Sequence, residues 1–461
     1  MKKFSQAKRF LVLLFVIVSL FTITACSNNN PLEDTVDDAI EENFQTSNDS
    51  VSDDLESSSI LEFDELKIKI DKERAMDVIQ YLEDVSPRIA GQNGEKVAGE
   101  YILEEFNKLG FTSNLEEFPM KLFKANECNL KINKGNDTFE LENNCLTFSS
   151  STPNEGLEEI PLVDGLSGRI LDVNDIDMMG KIAVVKRGYI SFKEKVINCA
   201  DRGAIAVIII NSEDVPLNAT LLEKSPIPAV AVSLSEGLKI MDAMSNENVS
   251  VDLLVDTTIE DGISNNVIGL KSSNKEDAKT LIIGAHYDSV DCPGANDNAS
   301  GVAGLMELAY VLEGIDLPFN IHFMAFGSEE IGKVGSTYSV NNNAFIIENK
   351  NNIIGMINMD MIGKGENFTV LKEKEYTDDT IYNLATSAAR ELNIVPVNYY
   401  SGRSDHVPFE SADIPVVFLT YYPHDPIYYH TKRDIIDSID SSLIENTIEV
   451  ILKMITDLAN E

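Results

Sequence analysis

The chain has 461 residues, so against a prior of about 150 residues per domain more than one folding unit is expected. Its 43% hydrophobic and 25% charged residues are a globular composition, which excludes wholesale disorder and a polytopic membrane protein. With 37 Lys plus Arg against 76 Asp plus Glu the net charge is −39, which argues against a nucleic-acid partner, and five cysteines are too few for a disulfide scaffold.

Lys2, Lys3, Lys8 and Arg9 precede an uncharged run from Phe10 to Ala25 that stops at Cys26. The run is shorter than the roughly 18 residues of a membrane span, so residues 1–25 read as a signal peptide. Ile23-Thr24-Ala25-Cys26 resembles a bacterial lipobox. That resemblance implies a lipidated Cys26 and a protein held on the extracellular face of the cell membrane; an ordinary signal peptide cleaved nearby is the alternative. Residues 27–66 carry thirteen Asp or Glu and no Lys or Arg. Such a segment buries too little apolar surface to offset its ordering entropy, so residues 26–66 read as a disordered acidic tether.

Ala75, Met76, Ile79 and Leu82 follow helical spacing, and a second helical pattern from Glu95 to Leu109 stops at Gly110. Cys128 and Cys145 flank a hairpin predicted over 129–144 with its turn near Asn136-Asp137. That register would set the two sulfurs opposite each other, and a one-residue shift in the turn would remove the pairing. Residues 155–257 form a different block: strands near 181–188, 204–210 and 225–232, and helices near 192–202 and 235–244. The block has no His, and its one cysteine, Cys199, lies in a helical pattern. Its pattern resembles a protease-associated domain and implies a cover or substrate-access element.

From residue 266 to the end, strand and helix alternate, which predicts an α/β sheet with helices on both faces and a site at the C-terminal strand ends. That is where the acids and histidines fall. Gly284-Ala-His286-Tyr-Asp288 puts His286 and Asp288 on one strand face, so the Asp288 carboxylate could take the second imidazole N–H. Asp297 sits at the tip of Gly294-Ala-Asn-Asp-Asn-Ala-Ser-Gly301. Phe326-Gly-Ser-Glu329-Glu330 ends an apolar strand in two adjacent carboxylates expected to point different ways. Asn358-Met-Asp360 ends another, and His430 lies far down the chain. Each has a bland explanation alone, as a turn residue, a solvated acid or a structural His. Together they ask for compensation of buried-edge charge, which metal ions supply.

In that order these segments resemble the co-catalytic dizinc peptidases, the family of bacterial secreted aminopeptidases, glutamate carboxypeptidase and the transferrin receptor. The resemblance implies a zinc-peptidase α/β/α sandwich with a mixed sheet over 67–154 and 258–461, interrupted by the protease-associated domain at 155–257. It further implies two zinc ions per chain, one on His286 and Asp360, the other on Glu330 and His430, with Asp297 bridging. Glu329 would be the general base acting on a dizinc-bound hydroxide, Asp288 would orient His286, and Tyr429 would stabilise the oxyanion, with Tyr428 as the neighbouring alternative. Ser404-Asp405-His406 matches a segment that shapes the pocket wall, and Cys292 reads as a neighbour of the site. His322 is expected to be packed or at an edge, and His424 lies in a proline-containing loop.

The implied activity is an exported, membrane-anchored aminopeptidase acting on peptides with a free N-terminus. Glu329 and Asp360 could receive the α-amino group. A carboxypeptidase or dipeptidase on the same scaffold would want clustered cations, and Arg403 and Arg433 are the only arginines near the later motifs. The resemblance also leaves room for a one-zinc glutaminyl cyclase and for an inactive receptor-like lipoprotein. The sequence leaves the oligomeric state and the preferred N-terminal residue open.

Overall fold

A computed structural model describes residues 61–461 except 136, 216, 246–248, 376 and 401. The expected signal peptide, Cys26 and the tether as far as residue 60 lie outside the described residues. The tether expected over 26–66 gives way to packed structure before its end. Phe63–Lys67 is helical, Leu66 is buried, and Lys67 Nζ pairs with Glu449 at 2.8 Å. The cause is the apolar set Leu61, Phe63 and Leu66, which joins the main core despite the acidic run before it.

The two expected scaffold helices form. In Lys72–Asp84 the Asp71 carboxylate caps the backbone N–H groups of Glu73 and Arg74, while Ala75, Val78, Ile79 and Leu82 bury one face. The second, Asn93–Lys108, ends before Gly110 at φ 75°. Four parallel strands form the heart of the C-terminal sheet, in the spatial order Val416–Tyr422, Ile353–Met359, Thr280–His286 and Asn320–Phe326. Their side chains alternate between two cores. Leu281, Ile283, Phe323, Ile357 and Leu419 face a layer with helices Ser300–Val311 and Ser441–Asn460, while Ile282, Met324, Met356 and Val416 face a second layer with Ile346 and Phe409. Burial on both faces is why these strands read as unbroken apolar runs, and the result is the expected α/β/α sandwich. Asn367–Lys372, antiparallel to Val416–Tyr422, and Asn320–Phe326 against Val249–Lys271 make the sheet mixed.

The main departure from expectation lies in two long strands. The predicted short strand 267–270 is the last part of Val249–Lys271, which pairs antiparallel with Thr112–Lys134 along almost its whole length. This ribbon runs from the peptidase sheet into the inserted lobe, so neither lobe has a boundary in a loop there. In the lobe, Leu157–Asp164, Ile182–Lys186, Ala206–Ile210 and Ala229–Val232 are parallel neighbours. Asn143–Cys145 pairs with Ala229–Val232, so the lobe begins ahead of the expected residue 155.

The predicted hairpin register is also off. Leu130 faces Leu141 and Lys134 faces Asp137, two positions away from the expected pairing. Cys128 and Cys145 are nevertheless bonded, with Cα atoms 5.7 Å apart. Cys145 has left the hairpin for its own short strand, and the return of that strand beside the ribbon makes the bridge. Among the described residues no helix is long and apolar enough to cross a membrane.

His322 is packed, as expected. It is 8% exposed and lies against Phe345 with ring centroids 4.3 Å apart. Burial pushes its imidazole down to about 4. The folded state therefore holds a neutral ring, while the unfolded chain takes up a proton below about pH 6.5. The stability this contributes is full above that pH and falls as pH drops toward 4, by an amount on the order of 3 kcal/mol. His322→Phe is expected to flatten that acid-side loss, read as a smaller fall in Tm across the same interval.

Candidate metal centre

The strand ends bring the predicted residues to one edge of the sheet. His286 pairs with Phe326 at the end of their two strands, and Asp360 follows Met359 on the next. Neighbouring loops are then stitched together by backbone hydrogen bonds. Asp434, buried, accepts from the N–H groups of Asn296 at 2.8 Å and Asp297 at 3.0 Å. Asn298 donates to the Met359 carbonyl at 3.0 Å and accepts from Met361 N–H at 3.2 Å, so it brackets Asp360 from both sides. Gly301 is required here, because a Cβ would lie 2.3 Å from Asn298 Oδ1 and 2.6 Å from the Met359 carbonyl. Beneath the loop, fully buried Arg88 donates to the carbonyls of Leu82, Tyr287, Pro293 and Gly294.

Three consecutive N–H groups end the Glu329 segment in carboxylates. Ser328 N–H donates to Glu95 Oε1 at 2.8 Å, Glu329 N–H to Asp288 Oδ1 at 2.9 Å, and Glu330 N–H to Asp288 Oδ2 at 3.1 Å. Asp288 does more than the expected orienting of His286. His286 Nδ1 lies 3.2 Å from the backbone carbonyl of Asp288 and 3.4 Å from its carboxylate, which is engaged with the two glutamate N–H groups. The carboxylate thus reaches the ring and also sets the backbone of the two glutamates.

The ligand-type atoms fall into two groups that share Asp297. His286, Asp297 and Asp360 form one; Asp297, Glu330 and His430 form the other. His286 Nε2 is 3.3 Å from Asp297 Oδ1 and 3.5 Å from Asp360 Oδ1. His430 Nε2 is 3.2 Å from both Asp297 Oδ2 and Glu330 Oε2. The two oxygens of one carboxylate thus serve different groups. Glu329 belongs to neither and lines the cleft beside them.

The electrostatics call for positive charge. Burial opposes ionisation of His286 and His430, yet the surrounding carboxylates hold both rings well above the ordinary imidazole range. Burial and like charge from Asp405, Glu330 and Asp360 outweigh nearby His286 and lift Glu329 well above the carboxylate range. Asp360 Oδ1 and Glu330 Oε1 are buried with no hydrogen-bond donor. Orphaned oxygens, clustered imidazole Nε2 atoms and shared Asp297 fit divalent cations, and His, Asp and Glu are a zinc-compatible donor set.

The groups open onto a cleft of about 880 Å³ between the lobes. Tyr429 lines it and stacks on His430 at 3.9 Å, and desolvation raises its phenol, which keeps the hydroxyl a donor at neutral pH. Tyr428 instead lies under Lys364, whose Nζ is 4.0 Å from the ring. His406 is in neither group and stacks on Phe418 at 5.0 Å; Cys292 is buried, with its thiol pushed up to about 12 by desolvation. His424 stacks on Tyr429 at 5.7 Å and lines the cleft.

With this geometry, the comparisons with known proteins are specific. Residues 265–455 match Peptidase family M28 and residues 147–240 match the PA domain. An aminopeptidase from Aneurinibacillus sp. strain AM-1 is 31% identical, with TM-score 0.72 over 85% of this chain and 95% of that one. The chain belongs to peptidase family M28. BSAP, a zinc aminopeptidase from Bacillus subtilis, superposes with TM-score 0.72 at 26% identity over 85% of this chain and 96% of its own. Aminopeptidase YwaD of Bacillus subtilis is 29% identical over 388 residues, 81% of this chain and 82% of its own.

Ser404, expected as part of a pocket-wall segment, reaches one of the ligand-type carboxylates of this M28 site directly. Ser404 Oγ donates to Asp360 Oδ2 at 2.8 Å and accepts from Asn358 at 2.7 Å. Glu95, Arg88 and Asp434 carry no motif in the sequence; Glu95, buried with Ala98, Ile102 and Phe106 on one helical face, gives the one signal among them. Ser404→Ala removes a donor from Asp360 and the acceptor of the buried Asn358 amide. Metal affinity is expected to fall about tenfold and the metal-free Tm to drop by a few degrees, measured by chelator competition and thermal melting.

Proposed function

We propose that this M28 peptidase is a two-zinc aminopeptidase. The observation that carries the reading is the sharing of Asp297 between two ligand groups at the floor of a cleft, and the aminopeptidase relatives support the substrate class. His286 and Asp360 would hold one ion, Glu330 and His430 the other, with Asp297 between them. Zinc bound there supplies Lewis acidity, lowering the pKa of a water toward neutrality and polarising a peptide carbonyl.

The chain's own residues do the rest. Glu329, outside both ligand groups, takes the proton of the attacking water and returns it to the leaving amine. The Tyr429 hydroxyl donates to the developing oxyanion. Carboxylates concentrated around the reacting centre favour a substrate α-ammonium there. One observation favours a carboxypeptidase instead: Arg403 and Arg187 both line the cleft, and Arg187 comes from the inserted lobe, far in sequence from the later motifs.

Substrate pairs decide between them. The purified mature chain is expected to contain about two zinc ions and to cleave aminoacyl amides with a free N-terminus but not their N-acetylated forms. Hydrolysis of the blocked peptide with a free C-terminus would establish the carboxypeptidase. Glu329→Gln is expected to lower kcat by about 10²–10⁴-fold with metal content intact. Loss of metal would instead make Glu329 a ligand.

We also infer that the enzyme is exported and lipid-anchored at Cys26, supported by the Ile23-Thr24-Ala25-Cys26 sequence after an apolar run. Cys26→Ser is expected to abolish incorporation of labelled fatty acid into the chain; a wild type that takes up no labelled lipid overturns the anchor.

A further inference from the structure

The inserted lobe reaches through the cleft to one of the metal-site residues. Asn218 Nδ2 donates to the backbone carbonyl of His430 at 3.1 Å, across 212 positions of sequence. His430 has φ 60°, the left-handed region that a residue with a Cβ occupies only under constraint. Its ring must still deliver Nε2 to a point 3.2 Å from both Asp297 and Glu330. The loop's own bonds, such as Thr431 N–H to the Tyr428 carbonyl at 3.0 Å, flank this peptide, and the Asn218 amide adds a donor to it from outside the loop.

That amide is itself oriented. Asn144 Nδ2 donates to Asn218 Oδ1 at 3.1 Å and also lies 3.4 Å from the Leu217 carbonyl. A carbonyl neighbour requires the nitrogen end of Asn144 there, so Asn218 presents its oxygen to Asn144 and its nitrogen to His430. Asn144 in turn precedes Cys145, bonded to Cys128 on the ribbon. The contacts therefore run unbroken from a covalent cross-link, through two amides, to the peptide of His430.

We propose that Asn218 is a positioning residue for the Glu330–His430 half of the metal centre, so that the inserted domain completes this half-site as well as walling the cleft. The inference rests on the two-zinc reading. Asn218 acts through His430 and need touch neither metal nor substrate, and its effect belongs to one half-site only, because His286 and Asp360 receive nothing from it.

Asn218→Asp tests this in the full-length mature chain. It keeps the side-chain shape but replaces the donor with a carboxylate facing a carbonyl. Zinc is stripped and titrated back against a chromophoric chelator, and the melting temperature of the metal-free chain is recorded. Expected are two binding steps in the wild type, with one weakened about tenfold or more in the variant, the other unshifted and the metal-free melting temperature unchanged. Asn144→Ala, which only frees the amide, should weaken the same step by a smaller factor. Two steps identical to wild type would overturn the proposal. So would an equal weakening of both steps with a lower melting temperature, which would make Asn218 a general fold contact. A wild type that takes up a single zinc would remove the two-zinc reading itself, and this inference with it.

Discussion

Negative charge held at the ends of buried parallel strands is the constraint on which this architecture depends. Asp288, Glu330 and Asp360 follow strand ends and Asp297 tops the loop between them; backbone N–H groups satisfy Asp288, but Asp360 Oδ1 and Glu330 Oε1 are left without a donor. Protonated imidazoles are one answer, and they are the answer the protein's own side chains provide. Bound cations are the other, and they reverse the local balance: imidazoles return to their neutral, ligating form, and neighbouring carboxyls lose the repulsion that lifts them. The mutual repulsion of these side chains and their affinity for cations have the same origin.

The protein sustains this arrangement by fixing backbones rather than side chains. The Glu329 and Glu330 peptides hang from Asp288, the Asp297 peptide from Asp434, and the segment around Asp360 from Asn298. Each holder is a buried polar side chain bonded to main-chain groups, which positions the neighbouring side chain without competing for its functional atoms. Arg88 applies the same logic from below, using its donors on carbonyls of the loop that follows His286.

The sandwich and the residues that gather into the two ligand-type groups were legible in the sequence because they rest on local signals: apolar runs that stop in an acid or a histidine, and a glycine-rich turn that runs into a helix. The holders were not, because their meaning lies in partners far away. Asp434 meets Asn296 over 138 positions and Arg88 meets Gly294 over 206. The ribbon was hidden for a different reason. Thr112–Lys134 mixes charged, exposed and apolar positions and contains Pro119, so no run of alternation marks it as a strand of 23 residues. The hairpin register failed because it assumes that both cysteines stay in one pair of strands, whereas the chain turns away after Leu141.

The ribbon also limits how the two lobes move. Loop-linked domains open by swivelling about a few soft torsions, but here paired backbone continues from Thr112–Leu270 to Lys134–Val249, with its register shift at Ala125 and Glu127, between the part that flanks the peptidase core and the part inside the other lobe. Extra chain in a ladder bends and twists it locally. The pairing therefore makes the ladder a beam whose one irregularity, between Ala125 and Glu127, is where bending between the lobes would concentrate.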